Sequence, residues 1–294
     1  MNRKPKKEDE PDYRGGELGE SKHLHRSGFQ QSVLGRLAGL TLQIMARIFA
    51  RILGLDVEDL ILRLITQSVN NLSAKEALRF LFRLDGALYT LQGQKAVEYG
   101  GGVHTKHRHT RYHDFFVKRV QPGERVLDIG CGMGAVAYDV AKRTEAQVLG
   151  IDLDAESITR ARTRHAHPHV RYIEGDVLED LPDGPFDVVI LSNVLEHLPE
   201  RPAFLRRVME LTKPSRFLIR VPLFERDWRV PLKQELNVEW RLDPTHKTEY
   251  TPESFLTELK AAGLTIAYQE VRWGEIWVEA GPDGSQDQCH NGCT

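Results

Sequence analysis

Residues 126–134 read Val-Leu-Asp-Ile-Gly-Cys-Gly-Met-Gly and constrain this chain more than any other stretch. An apolar run closing on Asp128 has the pattern of a buried strand. Three alternating glycines followed by residues 135–141 have that of a tight turn opening a helix. Lacking Cβ atoms, Gly130, Gly132 and Gly134 can take positive φ and admit a ligand against the backbone, where the first helical N–H groups face it. Strand, glycine turn and helix predict a nucleotide cradle, with the ligand at this turn.

Around that turn the chain alternates between strand and helix patterns. Strands are predicted at 125–129, 147–151, 170–174, 186–191 and 216–221, and helices at 134–142, 155–165 and 201–211. Such alternation specifies a parallel sheet with helices on both faces. The stretches 264–271 and 275–279, separated only by Arg272-Trp273-Gly274, break the rhythm and predict a closing antiparallel hairpin. The expected fold is α/β: a Rossmann-like, doubly wound, mostly parallel seven-stranded sheet with an antiparallel C-terminal hairpin, preceded by an all-helical region.

Upstream, residues 1–27 hold almost no large apolar side chains and are expected to be a disordered tail. From Val33 the pattern changes. Leu34, Leu37, Thr41, Ile44, Met45, Ile48 and Ile52 recur at helical spacing, with Arg36, Gln43, Arg47 and Arg51 on the other side. Such a helix packs on a neighbouring helix or subunit, or lies on an anionic membrane surface. Its longest uncharged run, 37–46, is too short to cross a bilayer. Further helices are predicted at 57–70 and 73–82, where Ser73 and Glu76 have the spacing of a capping box. The domains expected are the tail 1–27, a helical region with a lid at 28–114, the α/β domain at 115–282 and a flexible tail at 283–294.

Charge and cysteine content narrow the function. Lys plus Arg of 40 against Asp plus Glu of 42 gives −2, so no positive excess points to nucleic acid. Three cysteines, with Cys289 and Cys293 near the end, make no disulfide framework, and the first 20 residues lack the apolar core of a secretory signal. A cytoplasmic protein is expected, with a peripheral membrane contact or homo-oligomer through the N-terminal helices as its further partners. The stretch 103–114 carries four histidines among Lys and Arg, but without cysteines or carboxylates at zinc-like spacing; no metal is expected there. His107, Arg108, Tyr112 and His113 are instead expected to form a lid over an anionic or hydroxyl-bearing substrate.

The glycine turn, Gly150-Ile151-Asp152-Leu153-Asp154, Glu174-Gly175-Asp176-Val177 and residues 186–198, Phe-Asp-Val-Val-Ile-Leu-Ser-Asn-Val-Leu-Glu-His-Leu, follow one another in an order and spacing that resemble the class I S-adenosylmethionine-dependent methyltransferases. The resemblance covers about residues 115–280. It implies that Asp128 and the backbone of Gly130, Gly132 and Gly134 face the methionine part of S-adenosylmethionine, and that Asp152 takes the ribose diol. It also implies that Leu153 lies against the adenine, that Asp176 and Val177 bind the adenine edge, and that Ser192 and Asn193 close the cleft near the methyl group. Two other readings stay open. An NAD-type oxidoreductase also needs a glycine turn and a later acid, although Gly130-x-Gly132-x-Gly134 departs from its G-x-G-x-x-G fingerprint. A non-catalytic cofactor-binding module recruited by the N-terminal helices is the other.

Methyl transfer from a sulfonium is an in-line displacement, so the protein must position, exclude water and, for a hydroxyl acceptor, remove a proton. His197, His246 and His113 are the candidate bases. Some methyltransferases that use a divalent metal carry Glu-x-x-Glu-His here, whereas this chain has Asn193 at the first glutamate, so no metal is expected. The connection 223–250 is long and polar, and long loops at strand ends border the cleft. Arg226, Trp228, Arg229, Trp240 and Arg241 are its candidate acceptor contacts. The expected acceptor is an O or N atom of a small-molecule or glycan-like compound.

Overall fold

The computed structural model describes residues 33–101 and 103–283. The predicted tail 1–27, Gly102, and residues 284–294 with Cys289 and Cys293 lie outside the described residues. The chain divides into two compact units, one built mainly from Leu91–Pro231 and Arg241 onward, the other from residues up to Thr90 with Leu232–Trp240.

In the smaller unit, α1 (Val33–Ile52), α2 (Val57–Asn70) and the start of α3 (Ala74–Tyr99) succeed one another. Asp56 caps α2 by accepting from the Asp59 amide at 2.8 Å. Ser73 and Glu76 form the expected reciprocal box, with the Ser73 amide donating to Glu76 at 3.1 Å. The helix predicted at 73–82 is much longer than expected, because no proline interrupts residues 83–99; it stops before Gly101, which takes φ +68°. Phe82, Leu236 and Val238 form a small core here, and Arg79 Nε donates to the Leu236 carbonyl at 2.8 Å. Ile44, Met45, Ile48, Phe49 and Ile52 of α1 stay exposed. The face that the sequence pattern assigns to a partner is therefore uncovered among the described residues. No described helix is long and apolar enough to cross a membrane.

The larger unit begins, after the end of α3, with the short helices α4 (Lys106–Thr110) and α5 (His113–Val117), and continues into the alternating elements. These are β1 (Arg125–Ile129), α6 (Ala135–Thr144), β2 (Gln147–Asp152), α7 (Ala155–Arg164), β3 (Val170–Glu174), β4 (Val188–Ser192), α8 (Arg201–Thr212), β5 (Arg216–Pro222), α9 (Arg229–Glu235, reaching into the smaller unit), α10 (Pro252–Ala261), β6 (Leu264–Arg272) and β7 (Glu275–Pro282). The strand predicted at 186–191 is shifted to Val188–Ser192: Phe186 and Asp187 instead hydrogen-bond to the Thr212 and Arg125 carbonyls.

The sheet has the order β3-β2-β1-β4-β5-β7-β6, with β7 antiparallel to both neighbours. Strand alternation sends side chains to two cores. Leu127, Ile129, Val189 and Leu191 pack with Phe204 and Leu205 of α8 and Phe255 and Leu259 of α10. Val126, Val188 and Ile190 pack with Val136, Ala137 and Val140 of α6 and Phe116 of α5. Asp128 falls on the Val126 face, so a carboxylate points into the α6 layer. The chain leaves β1 toward β2 and β3, then returns to β4 on β1's other side. That reversal opens a crevice at the strand carboxyl ends, the place where open α/β sheets bind ligands.

Candidate active site

The glycine turn is anchored to the tip of β2. The amides of Gly130 and Cys131 donate to the Ile151 carbonyl at 2.8 and 3.1 Å, and the Gly132 amide donates to Asp152 Oδ2 at 2.7 Å. Asp152 Oδ1 accepts from the Asp154 amide at 2.9 Å, and Asp154 in turn caps α7 by accepting from Ser157. One carboxylate thereby sets both the glycine turn and the next helix. Gly130, Gly132 and Gly134 all have positive φ. A Cβ on Gly130 would strike Val194 and one on Gly134 would strike Tyr172, whereas one on Gly132 would meet nothing within 4 Å. Gly130 and Gly134 are thus required by packing. Gly132 faces open space, as a ligand cradle requires.

Asp128, 1% exposed, leaves Oδ2 without a hydrogen-bond partner among the described residues. Burial, with Asp152 adding to it, pushes its carboxyl up to about 8. The unfolded carboxyl ionises from about pH 4 upward, while the folded one keeps its proton to about 8. The unfolded chain gives up that proton first, so this group lowers stability progressively over that interval. Asp128→Asn should therefore flatten the fall in the ligand-free protein's melting temperature between pH 5 and 8, as followed by circular dichroism; an unchanged slope would refute the assignment.

Around the same edge, Asp176 Oδ1 accepts from the Leu178 amide at 2.9 Å, Val177 packs against the apolar core, and Leu153 is 70% exposed. Ser192 ends β4 opposite Arg220, while Asn193 takes φ +57° and donates its amide to the Arg220 carbonyl at 2.8 Å.

A second group of side chains gathers just beyond β4. Glu196 and His197 lie in a single 3-10 turn, Leu195–His197, and the Lys247 amide donates to the Glu196 carbonyl at 2.7 Å. This tie brings the far end of the long connection to β4. His197 and His246 rings meet edge to face at 4.7 Å. Thr245 Oγ1 donates to Asp243 at 2.7 Å and therefore accepts from His197 Nδ1 at 2.9 Å. Glu249 Oε1 likewise accepts from His246 Nδ1 at 2.9 Å, and Arg226 pairs with the other oxygen. Both rings are thus held through Nδ1 by an oxygen atom. Burial, then His246, holds His197 below the usual imidazole range. Glu196 is fully buried, and burial pushes its carboxyl up to about 8.

The family follows from comparison with known proteins. Residues 126–215 match a family described as a methyltransferase domain. This part of the chain is a class I S-adenosylmethionine-dependent methyltransferase domain. Ubiquinone biosynthesis O-methyltransferase of Rhodopseudomonas palustris (strain BisB5) is 33% identical over 155 residues, covering 50% of this chain and 60% of that protein. The 2-methyl-6-phytyl-1,4-hydroquinone methyltransferase of Synechocystis sp. is 30% identical over 154 residues, covering 49% and 47%. The chain spans about half the length of the curated relatives it matches. The fold also resembles a chain from the complex between the Haloferax volcanii Trm112 methyltransferase activator and a methyltransferase, at a TM-score of 0.50 and 16% identity, covering 65% of this chain and 94% of that one.

The residues that the sequence assigned to a lid are partly drawn together. Tyr112 and His113 are buried, with rings 4.4 Å apart, and His107 lies 5.1 Å from Tyr112. Arg220 sits 3.7 Å over the Tyr112 ring, and His113 Nδ1 is 2.7 Å from Asp139 Oδ2. Burial, with His113 and Lys106 adding to it, drives His107 down to about 3, so it is neutral at physiological pH. Arg108 is exposed. In the long connection, Arg226 and Arg241 are engaged inside the loop, with Glu249 and with the His246 carbonyl at 3.0 Å. Arg229 pairs with Asp227, Trp228 is 71% exposed, and Trp240 belongs to the smaller unit. Sequence reasoning passed over Glu196, Arg220, Thr245, Glu249 and Asp139. Only the His246-x-x-Glu249 spacing hinted at a local pair; the rest depend on contacts between distant segments.

Proposed function

We propose that the protein transfers a methyl group from S-adenosylmethionine to an oxygen atom of a small hydroxyl-bearing molecule. The observation that carries this reading is the meeting of His197 and His246 beside Glu196, in the turn that directly follows β4. A hydroxyl acceptor must lose a proton as it is methylated, and this cluster offers two imidazoles, each held through Nδ1. One relative is named an O-methyltransferase, which supports the oxygen assignment, and the other a hydroquinone methyltransferase, which supports a small hydroxyl-bearing acceptor.

S-adenosylmethionine, when bound, supplies a methyl group already activated by its sulfonium. The chain's own residues hold and orient. In this reading Asp152 accepts from the ribose diol, and the open space at Gly132 admits the methionine end. Asp128, with its unpartnered oxygen, receives the ammonium. Asp176 and Val177 border the adenine edge, exposed Leu153 covers its face, and Ser192 with Asn193 closes the cleft. An NAD-type oxidoreductase is disfavoured by the antiparallel β7 inserted between β5 and β6, which the doubly wound dinucleotide sheet lacks.

The test uses the full chain with methyl-labelled S-adenosylmethionine and matched panels of phenols, sugars and amines. Label is expected on an acceptor oxygen, with S-adenosylhomocysteine released in equal amount. Transfer confined to nitrogen or carbon would overturn the oxygen assignment, and absence of transfer to any compound would overturn the reading.

A further inference from the structure

We propose that Arg220 and Lys106 form a carboxylate-binding subsite at the crevice, and that the acceptor is a hydroxy acid held there by its anionic group. Giving that anion to the acceptor rests on the methyl-transfer reading above. Arg220 lies on β5 in register with Ser192 of β4 and Trp277 of β7. Strand alternation sends its side chain to the face of Leu218 and Trp277, which is also the face of Asp128. The guanidinium therefore stands at the carboxyl end of the sheet, level with the residue that ends β4.

That guanidinium is fixed in place but not satisfied. Arg220 is 7% exposed, it lies 3.7 Å over the Tyr112 ring, and its Nε has no hydrogen-bond partner among the described residues. Glu275, the neighbouring carboxylate, stands 3.7 Å from Nη1, beyond hydrogen-bond reach. The same Glu275 oxygen already accepts from Trp277 Nε1 at 2.9 Å. A buried cation with a donor left over carries a desolvation cost, and an incoming carboxylate removes it. The planar fork of a guanidinium also matches the two oxygens of a carboxylate.

The surrounding charges set the sign and size of the ligand's charge. Lys106 of α4 is solvent-exposed, yet the protein packed around its ammonium holds it below the usual lysine range, with Arg220 adding to the effect and Glu275 opposing it. An ammonium that water reaches and protein surrounds lies in a crevice, and this one shares it with Arg220 and Glu275. His107 is neutral, His113 is turned to Asp139, and buried Glu196 keeps its proton up to about 8. Lys106 and Arg220 thus face the Glu275 carboxylate with a surplus of positive charge. That surplus suits a monoanionic carboxylate, whereas a dianionic phosphate would leave negative charge beside Glu275.

The full chain, saturated with S-adenosylhomocysteine, is titrated by calorimetry with hydroxybenzoates and aliphatic hydroxy acids, each paired with its carboxamide. An acid is expected to bind about 10- to 100-fold more tightly than its amide. Arg220→Gln should erase that ratio. Lys106→Gln should narrow it and Glu275→Gln, which keeps an acceptor for Trp277, should widen it, each by about two- to fivefold. Circular dichroism reports whether each variant is folded, and if Arg220→Gln is not, the opposite shifts of the other two decide. Wild type that binds no acid better than its amide would overturn the proposal. So would a folded Arg220→Gln protein that keeps the ratio, or Lys106→Gln and Glu275→Gln proteins that leave it unmoved. If Arg220→Gln weakens S-adenosylhomocysteine and keeps the ratio, the guanidinium serves the donor's own carboxylate and the proposal falls. Acid-selective binding without methyl transfer from S-adenosylmethionine would instead sink the methyl-transfer reading and leave the anion subsite standing.

Discussion

Asp152→Ala should weaken S-adenosylhomocysteine binding by about 10- to 100-fold in calorimetry. Hydrogen bonds to a charged group contribute about 1.5–3 kcal/mol, and each 1.4 kcal/mol is a factor of ten. Two losses add in this variant. The proposed ribose acceptor disappears, and so does the carboxylate that holds the Gly132 amide at 2.7 Å and the Asp154 amide at 2.9 Å. The glycine turn is then free to leave the geometry in which it meets a ligand. NAD should give no heat with either protein. An Asp152→Ala variant that binds S-adenosylhomocysteine as wild type does would remove Asp152 from the donor site.

Gly134→Ala should be the most damaging single-methyl change in the glycine turn. At φ +81° an L-residue costs about 1–2 kcal/mol. The new Cβ would also lie 2.5 Å from the Tyr172 ring, which donates to the Gly134 carbonyl at 3.2 Å and the His165 carbonyl at 3.1 Å. Displacing that ring adds an overpacking cost of about 1–3 kcal/mol. A total near 3 kcal/mol corresponds to a melting temperature lower by about 6–12 °C for a domain of this size. Gly132→Ala separates packing from binding. Its Cβ meets nothing within 4 Å, so only the φ cost remains and the melting temperature should fall by about 2–8 °C. Its loss should appear instead in S-adenosylhomocysteine affinity, because the methyl group occupies the cradle. If Gly134→Ala melts within about 2 °C of wild type, the packing argument fails.

The elements of the larger unit were legible because their signals are local. The apolar run ending at Asp128, the glycine spacing and the short link at Arg272-Trp273-Gly274 each predict an element that the structure contains. The long α3 was not: Gly86 and Gly93 weaken the helical pattern without breaking it, and the absence of proline lets the helix run on to Tyr99. The stretch 103–114 read as a lid of similar residues, yet its members part company in the structure. Tyr112 and His113 are buried under Arg220 and beside Asp139, while Arg108 stays at the surface.

What the sequence by itself determined was the α/β architecture and the place of the glycine turn within it, since strand, turn and helix periodicity and the acid at each strand tip are written within a few residues of one another. What only the tertiary structure decided was the company His197 keeps. His246 is 49 positions away along the chain, and the two are joined through the Lys247 amide on the Glu196 carbonyl and through Thr245 on His197. In three dimensions, His246 arrives from a distant loop to stand near a buried carboxylate whose oxygens have no hydrogen-bond partner among the described residues. No local pattern encodes that meeting, because it is made by backbone hydrogen bonds between two loops, which any pair of residues can form.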